Sequence, residues 1–219
     1  AFYGLLAAEK AGLPMDPKLA GTEEFPDYTE ASFWGTPIME AARLVAALDE
    51  YYLTQRFVVH LSERLDRTET GQLADWAEDV GLPYVMLKIA KHSVNFEKVL
   101  ERAYFPTPEI GIGNPNVPRA LEMAISRRES EFNHTVRSHA GALGLMQIMP
   151  FWLDEIGRPN DNLFQVETNL RYGCAILKHY LDRENGDLTR ALARYNGSLG
   201  KTWYPERVLE ALSSRWYQR

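Results

Sequence analysis

The residue best suited to chemistry in this sequence is Glu129, because it ends an amphipathic helical pattern. Glu129 follows Leu121 by eight residues and Ile125 by four, so the three side chains share one face of a helix. That face points to the core, and burial would raise the pKa of the carboxyl. A carboxylic acid that stays protonated near neutral pH can donate its proton to a leaving group. The position alone also fits a solvent-exposed glutamate at a helix end.

A short apolar segment after Glu129 favours the buried alternative. Residues 142–149 are nearly all apolar, and we predict a second helix there. Small residues at its start would let another helix or a ligand approach closely: Gly141, Ala142 and Gly144. Gln147 is the polar exception, and a buried amide needs a partner, either a backbone group or a polar ligand such as a sugar.

The sequence lacks the motifs of several other kinds of functional site. There is no phosphate loop, dinucleotide fingerprint or G-x-S-x-G motif, and none of the five histidines has the i, i+4 partner of a helical zinc site. We therefore expect neither a metal nor a cofactor. The only cysteine, Cys174, follows Gly173 in an apolar stripe, so we predict a buried thiol and no intrachain disulfide.

The composition is typical of a globular protein and argues against several partners. Of 219 residues, 45% are hydrophobic and 25% charged, and the net charge is −6. No Lys/Arg block exceeds two residues, so we expect no nucleic acid partner. No apolar run approaches the length of a bilayer span. The sequence opens at Ala1 directly in a helix-like pattern, without a basic-then-apolar leader, which indicates a fragment of a longer protein.

Helical periodicity dominates the chain, and we predict an all-α fold. In the first half the predicted helices cover residues 38–52, 56–65, 70–80, 84–92 and 96–104, after a long loop at 12–37. In the second half they cover residues 119–130, 142–149, 166–181 and 188–196. Residues 106–118 contain four prolines and two glycines, so we place a domain boundary there, with domains at 1–113 and 114–219.

Three sequence blocks together resemble the catalytic domain of the soluble lytic murein transglycosylases, lysozyme-like enzymes that cut peptidoglycan. The blocks are E-S-x-F-N at 129–133, S-x-A-G-A-x-G-L-M-Q-I-M-P at 138–150 and A-x-Y-N-G at 193–197. Their order and spacing agree with the family. The helices before residue 104 also resemble the α-helical superhelix that precedes the catalytic domain in large members.

The resemblance implies a fold and a reaction. It implies a superhelix-like segment followed by a catalytic domain of the goose-lysozyme type. In the family, one glutamate protonates the glycosidic oxygen between N-acetylmuramic acid and N-acetylglucosamine. Its carboxylate then takes the proton of the muramic C6 hydroxyl, and a 1,6-anhydro ring closes. Glu129 matches that glutamate, and no second carboxylate lies in a comparably apolar stretch of sequence.

The resemblance also implies further site residues. Ser138, Gln147 and Met149 match residues that line the sugar subsites. Tyr195 matches a tyrosine whose hydroxyl lies near the acid, and Asn196 matches the asparagine beside it. Apart from the motif, Tyr195 better fits a core aromatic residue with a locally satisfied hydroxyl, and the motif reverses this interpretation. We expect a periplasmic monomer that acts on peptidoglycan glycan strands.

Two alternative functions remain compatible with these residues. The chain could hydrolyse the same bond, as lysozymes similar to the goose type do, with the fold and the acid shared. It could also bind glycan without turnover, with the helical first half serving protein contacts. The choice between ring closure and hydrolysis rests on the resemblance and not on the residues themselves.

Overall fold

The computed structural model describes residues 2–111, 114 and 116–213. The chain divides into two compact units, Ala1–Pro108 and Glu109–Arg219. Across the described residues the regular elements are helices, and the strand-like pairings are two isolated bridges next to Leu143. The predicted all-α fold class is therefore confirmed. No helix in this described part combines the length and the apolar character that a bilayer span requires.

The first unit consists of short helices, most of which pack on one apolar core. They are α1 (Phe2–Ala11), α2 (Pro17–Ala20), α3 (Pro37–Ala47), α4 (Tyr51–Ser62), α5 (Arg67–Asp79), α6 (Pro83–Ser93) and α7 (Glu101–Tyr104). Local sequence signals position several of their ends. The Asp66 carboxylate caps α5 by accepting a hydrogen bond from the Glu69 amide at 2.8 Å. Gly81, with a φ of 73°, follows α5, and Pro83 opens α6, as predicted.

Two predicted helices of the first unit are wrong in their extent. The single helix predicted at 38–52 is divided into α3 and the start of α4. Asp49 lies between them with a φ of 57°, a left-handed conformation that a continuous right-handed helix cannot contain. The helix predicted at 96–104 is reduced to α7, because Glu97 has a φ of 60° and ends a 3-10 turn before it.

The second unit contains five helices among its described residues. They are α8 (Arg119–Glu129), α9 (Trp152–Ile156), α10 (Val166–Arg183), α11 (Leu188–Tyr195) and α12 (Trp203–Ala211). The patterns that predicted α8, α10 and α11 are confirmed within two residues at each end. Helices α9 and α12 were not predicted from the sequence. Asp187 caps α11 through the Arg190 amide at 3.0 Å, and Gly197 follows it with a φ of 70°.

The helix predicted at residues 142–149 does not form, and a tight turn replaces it. Leu143 and Ile148 exchange both backbone hydrogen bonds at 2.9 Å, which folds the segment back on itself. Gly144 and Gln147 have φ values of 73° and 53°, which a right-handed helix excludes. The segment is apolar because the turn itself is buried, with Leu145, Met146 and Ile148 almost inaccessible to solvent.

The linker segment before α8 belongs partly to the second unit. The Glu109 carboxylate lies 3.4 Å from the Arg119 guanidinium, and the Asn114 amide donates to Glu122 at 3.3 Å. Because these contacts join residues 109 and 114 to α8, the division between the compact units falls just before Glu109. The domain assignment of 1–113 and 114–219 stays a prediction.

Candidate active site

Glu129 is the last residue of α8 and is partly buried. The Tyr204 hydroxyl donates a hydrogen bond to its Oε1 at 2.5 Å. Tyr204 lies in the first turn of α12 and is only 1% exposed, so the packing of α12 on α8 fixes this contact. The Asn196 side chain, at the C-terminal end of α11, also hydrogen-bonds the carboxylate. Three helix ends thus meet at one carboxyl group.

Burial raises the pKa of Glu129 above its ordinary value of 4.5. Desolvation is the largest influence, and it outweighs three influences that lower the pKa: the Tyr204 hydrogen bond, the Arg128 charge and the Asn196 hydrogen bond. The carboxyl therefore keeps its proton to a higher pH than an exposed glutamate does. A partly accessible group of this kind can act as a general acid.

Two tyrosine hydroxyls near this carboxyl stay protonated. Burial, together with the Glu129 charge, raises the pKa of both Tyr204 and Tyr195 well above the ordinary range. Tyr204 is the hydrogen-bond donor to the acid. The Tyr195 hydroxyl donates instead to the Met146 carbonyl at 2.8 Å and so holds the turn that follows the acid.

The other residues expected to line sugar subsites lie in the loop and turn at 138–149. The Ser138 amide donates to the Ala142 carbonyl, and the Ser138 Oγ accepts from the Ala142 amide, both at 2.9 Å. The Gln147 side-chain amide donates to the Gly144 carbonyl at 2.8 Å. Ser138, Gln147 and Met149 are all partly exposed. The hydrogen bonds of Ser138 and Gln147 therefore shape the loop, while both side chains stay partly accessible to solvent.

Asn169, in the first turn of α10, holds this turn through three hydrogen bonds. It is completely buried, and its Oδ1 accepts from the Met146 amide at 2.7 Å. Its Nδ2 donates to the carbonyls of Leu143 at 2.9 Å and Leu163 at 2.7 Å. A Cβ at Gly144 would lie 2.3 Å from both Asn169 Nδ2 and the Leu163 carbonyl. Gly144 is therefore needed both for its φ and for its lack of a side chain.

The residue after the acid also holds the turn. The Ser130 Oγ donates to the Leu145 carbonyl at 2.6 Å, and Ser130 is 8% exposed. On the other side, a Cβ at Gly173 of α10 would lie 2.3 Å from the Met146 sulfur, so the small residue lets α10 approach the turn. The acid and the turn are thus parts of one hydrogen-bonded structure.

A second buried carboxyl group corrects the expectation that Glu129 has no counterpart in an apolar setting. Glu122, in the first turn of α8, is completely buried. Its Oε1 accepts from the Cys174 thiol at 3.0 Å and from the Asn114 amide at 3.3 Å. Burial, with Glu122 nearby, raises the pKa of Cys174 far above its ordinary value, so this thiol stays protonated. Cys174 is buried, as predicted.

Tyr204 is the functional candidate that sequence reasoning missed. It lies beyond the three recognised blocks, in a helix that was not predicted. The available signal was the spacing of Tyr204 and Val208, four residues apart and both buried in α12. Within the described residues, no group of three or more potential metal ligands forms a metal site.

Comparison with known proteins agrees with this architecture. Residues 109–212 match the family model of the Transglycosylase SLT domain. The match covers nearly all of the second unit, and this unit shares the all-helical, lysozyme-like fold of solved lytic transglycosylases.

The similarity to individual relatives extends through the first unit. The soluble lytic murein transglycosylase of Escherichia coli K12 is 25% identical over 216 residues, which cover 92% of this chain and 33% of the relative. The 70 kDa soluble lytic transglycosylase from Escherichia coli matches with a TM-score of 0.69 and 23% identity, covering 97% of this chain and 35% of that one.

A further solved structure is an inactive mutant of lytic transglycosylase Slt from Pseudomonas aeruginosa, in which a glutamate is replaced by glutamine. It matches with a TM-score of 0.67 and 23% identity, covering 98% of this chain and 38% of that one. The chain thus spans about one third of the length of these relatives.

Proposed function

We propose that this chain is a lytic transglycosylase that cleaves the β-1,4 bond between N-acetylmuramic acid and N-acetylglucosamine in peptidoglycan. The observation that carries the proposal is the partly buried Glu129 carboxyl, whose pKa is raised and whose Oε1 accepts the Tyr204 hydroxyl at 2.5 Å. The family match supports the choice of substrate. The solved lytic transglycosylase Slt from Pseudomonas aeruginosa, inactive as a glutamate-to-glutamine mutant, supports the choice of a glutamate as the catalytic acid.

The proposed reaction uses one carboxyl group twice. Protonated Glu129 gives its proton to the glycosidic oxygen as the bond from C1 of muramic acid to that oxygen breaks. The acetamido oxygen of the muramic residue assists at C1. The Glu129 carboxylate then takes the proton of the C6 hydroxyl while O6 bonds to C1, which closes the 1,6-anhydro ring and restores the acid.

The second buried carboxyl group does not serve this reaction. Glycosidases with two carboxylates hold them about 5 to 9.5 Å apart across the bond that is cut. Glu122 lies seven residues before Glu129 on α8, which corresponds to about 10 Å along the helix axis. Its Oε1 is also occupied by the Cys174 thiol and the Asn114 amide in the protein interior.

The remaining assignments complete the proposal. Ser138, Gln147 and Met149 would contact the sugars, Asn196 would orient Glu129, and Tyr195 would hold the turn at Met146. We place the reaction in the periplasm, on glycan strands, by a monomer without a cofactor.

Product analysis tests the proposal. Purified sacculi digested with the chain should release muropeptides that end in 1,6-anhydromuramic acid, one water lighter in mass spectrometry than the hydrolysed products. Reducing muramic ends would assign hydrolysis of the same bond. Glycan binding without any released product would assign a binding module.

A further inference from the structure

Arg128 and Trp203 are the chain neighbours of the two residues that share the short hydrogen bond, Glu129 and Tyr204. The guanidinium carbon of Arg128 lies 5.8 Å from the centre of the Trp203 ring. Arg128 is exposed, and Trp203 is 42% exposed, whereas its neighbour Tyr204 is buried. The pair therefore lies at the surface directly beside the acid and connects the C-terminal end of α8 to the start of α12.

Both side chains of this pair keep groups that could contact a ligand. A cation above an indole ring is attracted by the negative face of the ring, and this contact does not use the N–H donors of the guanidinium in hydrogen bonds. Across the described residues, Arg128 forms no salt bridge with a carboxylate. The Trp203 ring also contacts the Tyr204 ring edge-on, with centroids 5.9 Å apart and planes at 90°. The indole is thus held on two sides, and its remaining surface faces solvent.

We propose that Arg128 and Trp203 form a substrate subsite beside Glu129, in which the indole packs against a sugar ring and the guanidinium binds a carboxylate of the glycan strand. The subsite rests on the proposed function. The C–H face of a pyranose is apolar and flat enough to cover an aromatic ring, and a guanidinium pairs with a carboxylate through two parallel N–H groups. Two substrate groups offer this carboxylate: the lactyl group of peptide-free muramic acid, and the acidic residues of a stem peptide.

The test measures equilibrium binding in a Glu129→Gln background, so that turnover does not interfere. Three glycan oligosaccharides serve as probes: one peptide-free, one peptide-free with its lactyl carboxylates converted to amides, and one with stem peptides attached. Trp203→Ala should weaken binding to all three about tenfold, a loss that corresponds to about 1.4 kcal/mol. Trp203→Phe should retain most of the affinity, because it keeps an aromatic face.

Arg128→Gln should act mainly on charge, because the Tyr204 ring still contacts the indole. If the lactyl group is the partner, Arg128→Gln weakens binding to the peptide-free glycan about two- to fivefold and leaves the amidated glycan unaffected. If the stem peptide supplies the carboxylate, the loss appears only with the peptide-bearing glycan. Arg128→Lys should recover part of the loss, since the charge returns without the planar guanidinium.

The matched control is Phe164→Ala, an exposed aromatic residue of the same unit in the loop between α9 and α10. It should bind all three probes as the parent does.

In the wild-type background, Trp203→Ala should raise KM more than it lowers kcat, which a merely structural role would not do. Unchanged binding in both Trp203→Ala and Arg128→Gln would overturn the subsite. An inactive wild-type chain whose Glu129→Gln variant still shows these binding losses would overturn the proposed reaction and retain the subsite.

Discussion

The two ends of α8 each carry a glutamate in the interior, and the ends differ in what surrounds the carboxyl. Glu122, in the first turn, is fully buried and accepts from a thiol and a backbone amide. Glu129, in the last turn, is partly exposed and accepts from Tyr204. Both carboxyl groups are therefore at least partly buried, and they differ in how far solvent can reach them. A carboxyl that serves as an acid needs an apolar setting and also a side that substrate can reach.

The two carboxyl groups lie at opposite ends of the α8 dipole, with Glu129 at the negative end. A carboxylate is disfavoured at the negative end of a helix. Burial, the largest cause of the raised pKa of Glu129, acts in the same direction. The position of an acid along its helix thus contributes to its protonation, independently of its neighbours.

The largest expected difference between the two ends is in rate. Glu129→Gln removes the proton donor, so release of soluble muropeptides from sacculi should fall by about a thousandfold. Glu122→Gln keeps an acceptor for the Cys174 thiol and should retain most of the activity. Circular dichroism of both variants would verify that they fold. If Glu122→Gln folds but is as inactive as Glu129→Gln, the proposed difference in function between the two carboxyl groups is wrong.

The next difference is in stability. Glu122→Ala leaves the Asn114 amide and the Cys174 thiol without their shared acceptor, and the free energy of unfolding should fall by about 1–3 kcal/mol. Urea denaturation measures this change. The control is Glu155→Ala, an exposed glutamate of α9, which should change the free energy of unfolding by no more than about 0.5 kcal/mol. Equal effects at both sites would show that the Glu122 contacts contribute nothing.

Tyr204→Phe tests the hydrogen bond to Glu129 at the C-terminal end of α8. Its hydrogen bond lowers the pKa of Glu129, so removing the hydroxyl should raise that pKa further. The alkaline limb of the kcat/KM profile should then move to higher pH, and the optimal rate should fall about tenfold. Tyr195→Phe is the comparison, because that hydroxyl bonds to Met146 and should move the limb less. A limb that shifts to lower pH would contradict the hydrogen-bond assignment.

The smallest expected effect is a pH dependence of stability. The folded pKa of Glu129 is above its ordinary value of 4.5, so the folded state holds this proton more tightly than the unfolded chain does. Its contribution to stability is complete below that ordinary value and is lost as the pH rises through the folded pKa. The melting temperature of the wild type should therefore fall relative to that of Glu129→Gln as the pH rises from 4.5. A constant difference would exclude a raised pKa.

Much of this architecture can be predicted from the sequence, because helical periodicity is local. The spacing of apolar residues located α8, α10 and α11, and it placed Glu129 on the core face of α8. The interpretation failed at residues 142–149, because an apolar run there is equally consistent with a helix and with a buried turn. What selects the turn is Asn169, twenty-three residues beyond Met146, and no local pattern contains that contact.

The partner of the acid was missed for a similar reason. Tyr204 reaches Glu129 from seventy-five residues away along the chain, through a contact between α8 and α12. The recognised motifs end before α12, and its first turn contains Pro205, which obscures the helical pattern. Long-range side-chain contacts of this kind depend on packing, which periodicity does not report.

The way Asn169 holds the turn has a consequence for protein engineering. One side chain bonds three backbone groups that come from two separate stretches of chain, at Leu143, Met146 and Leu163. A graft of residues 136–150 alone onto another helical scaffold would lose all three hydrogen bonds, because Asn169 is not part of it, and would leave the Leu143 carbonyl and the Met146 amide without this partner. A working graft would have to include residues 136–150, Leu163 and the first turn of α10 with Asn169.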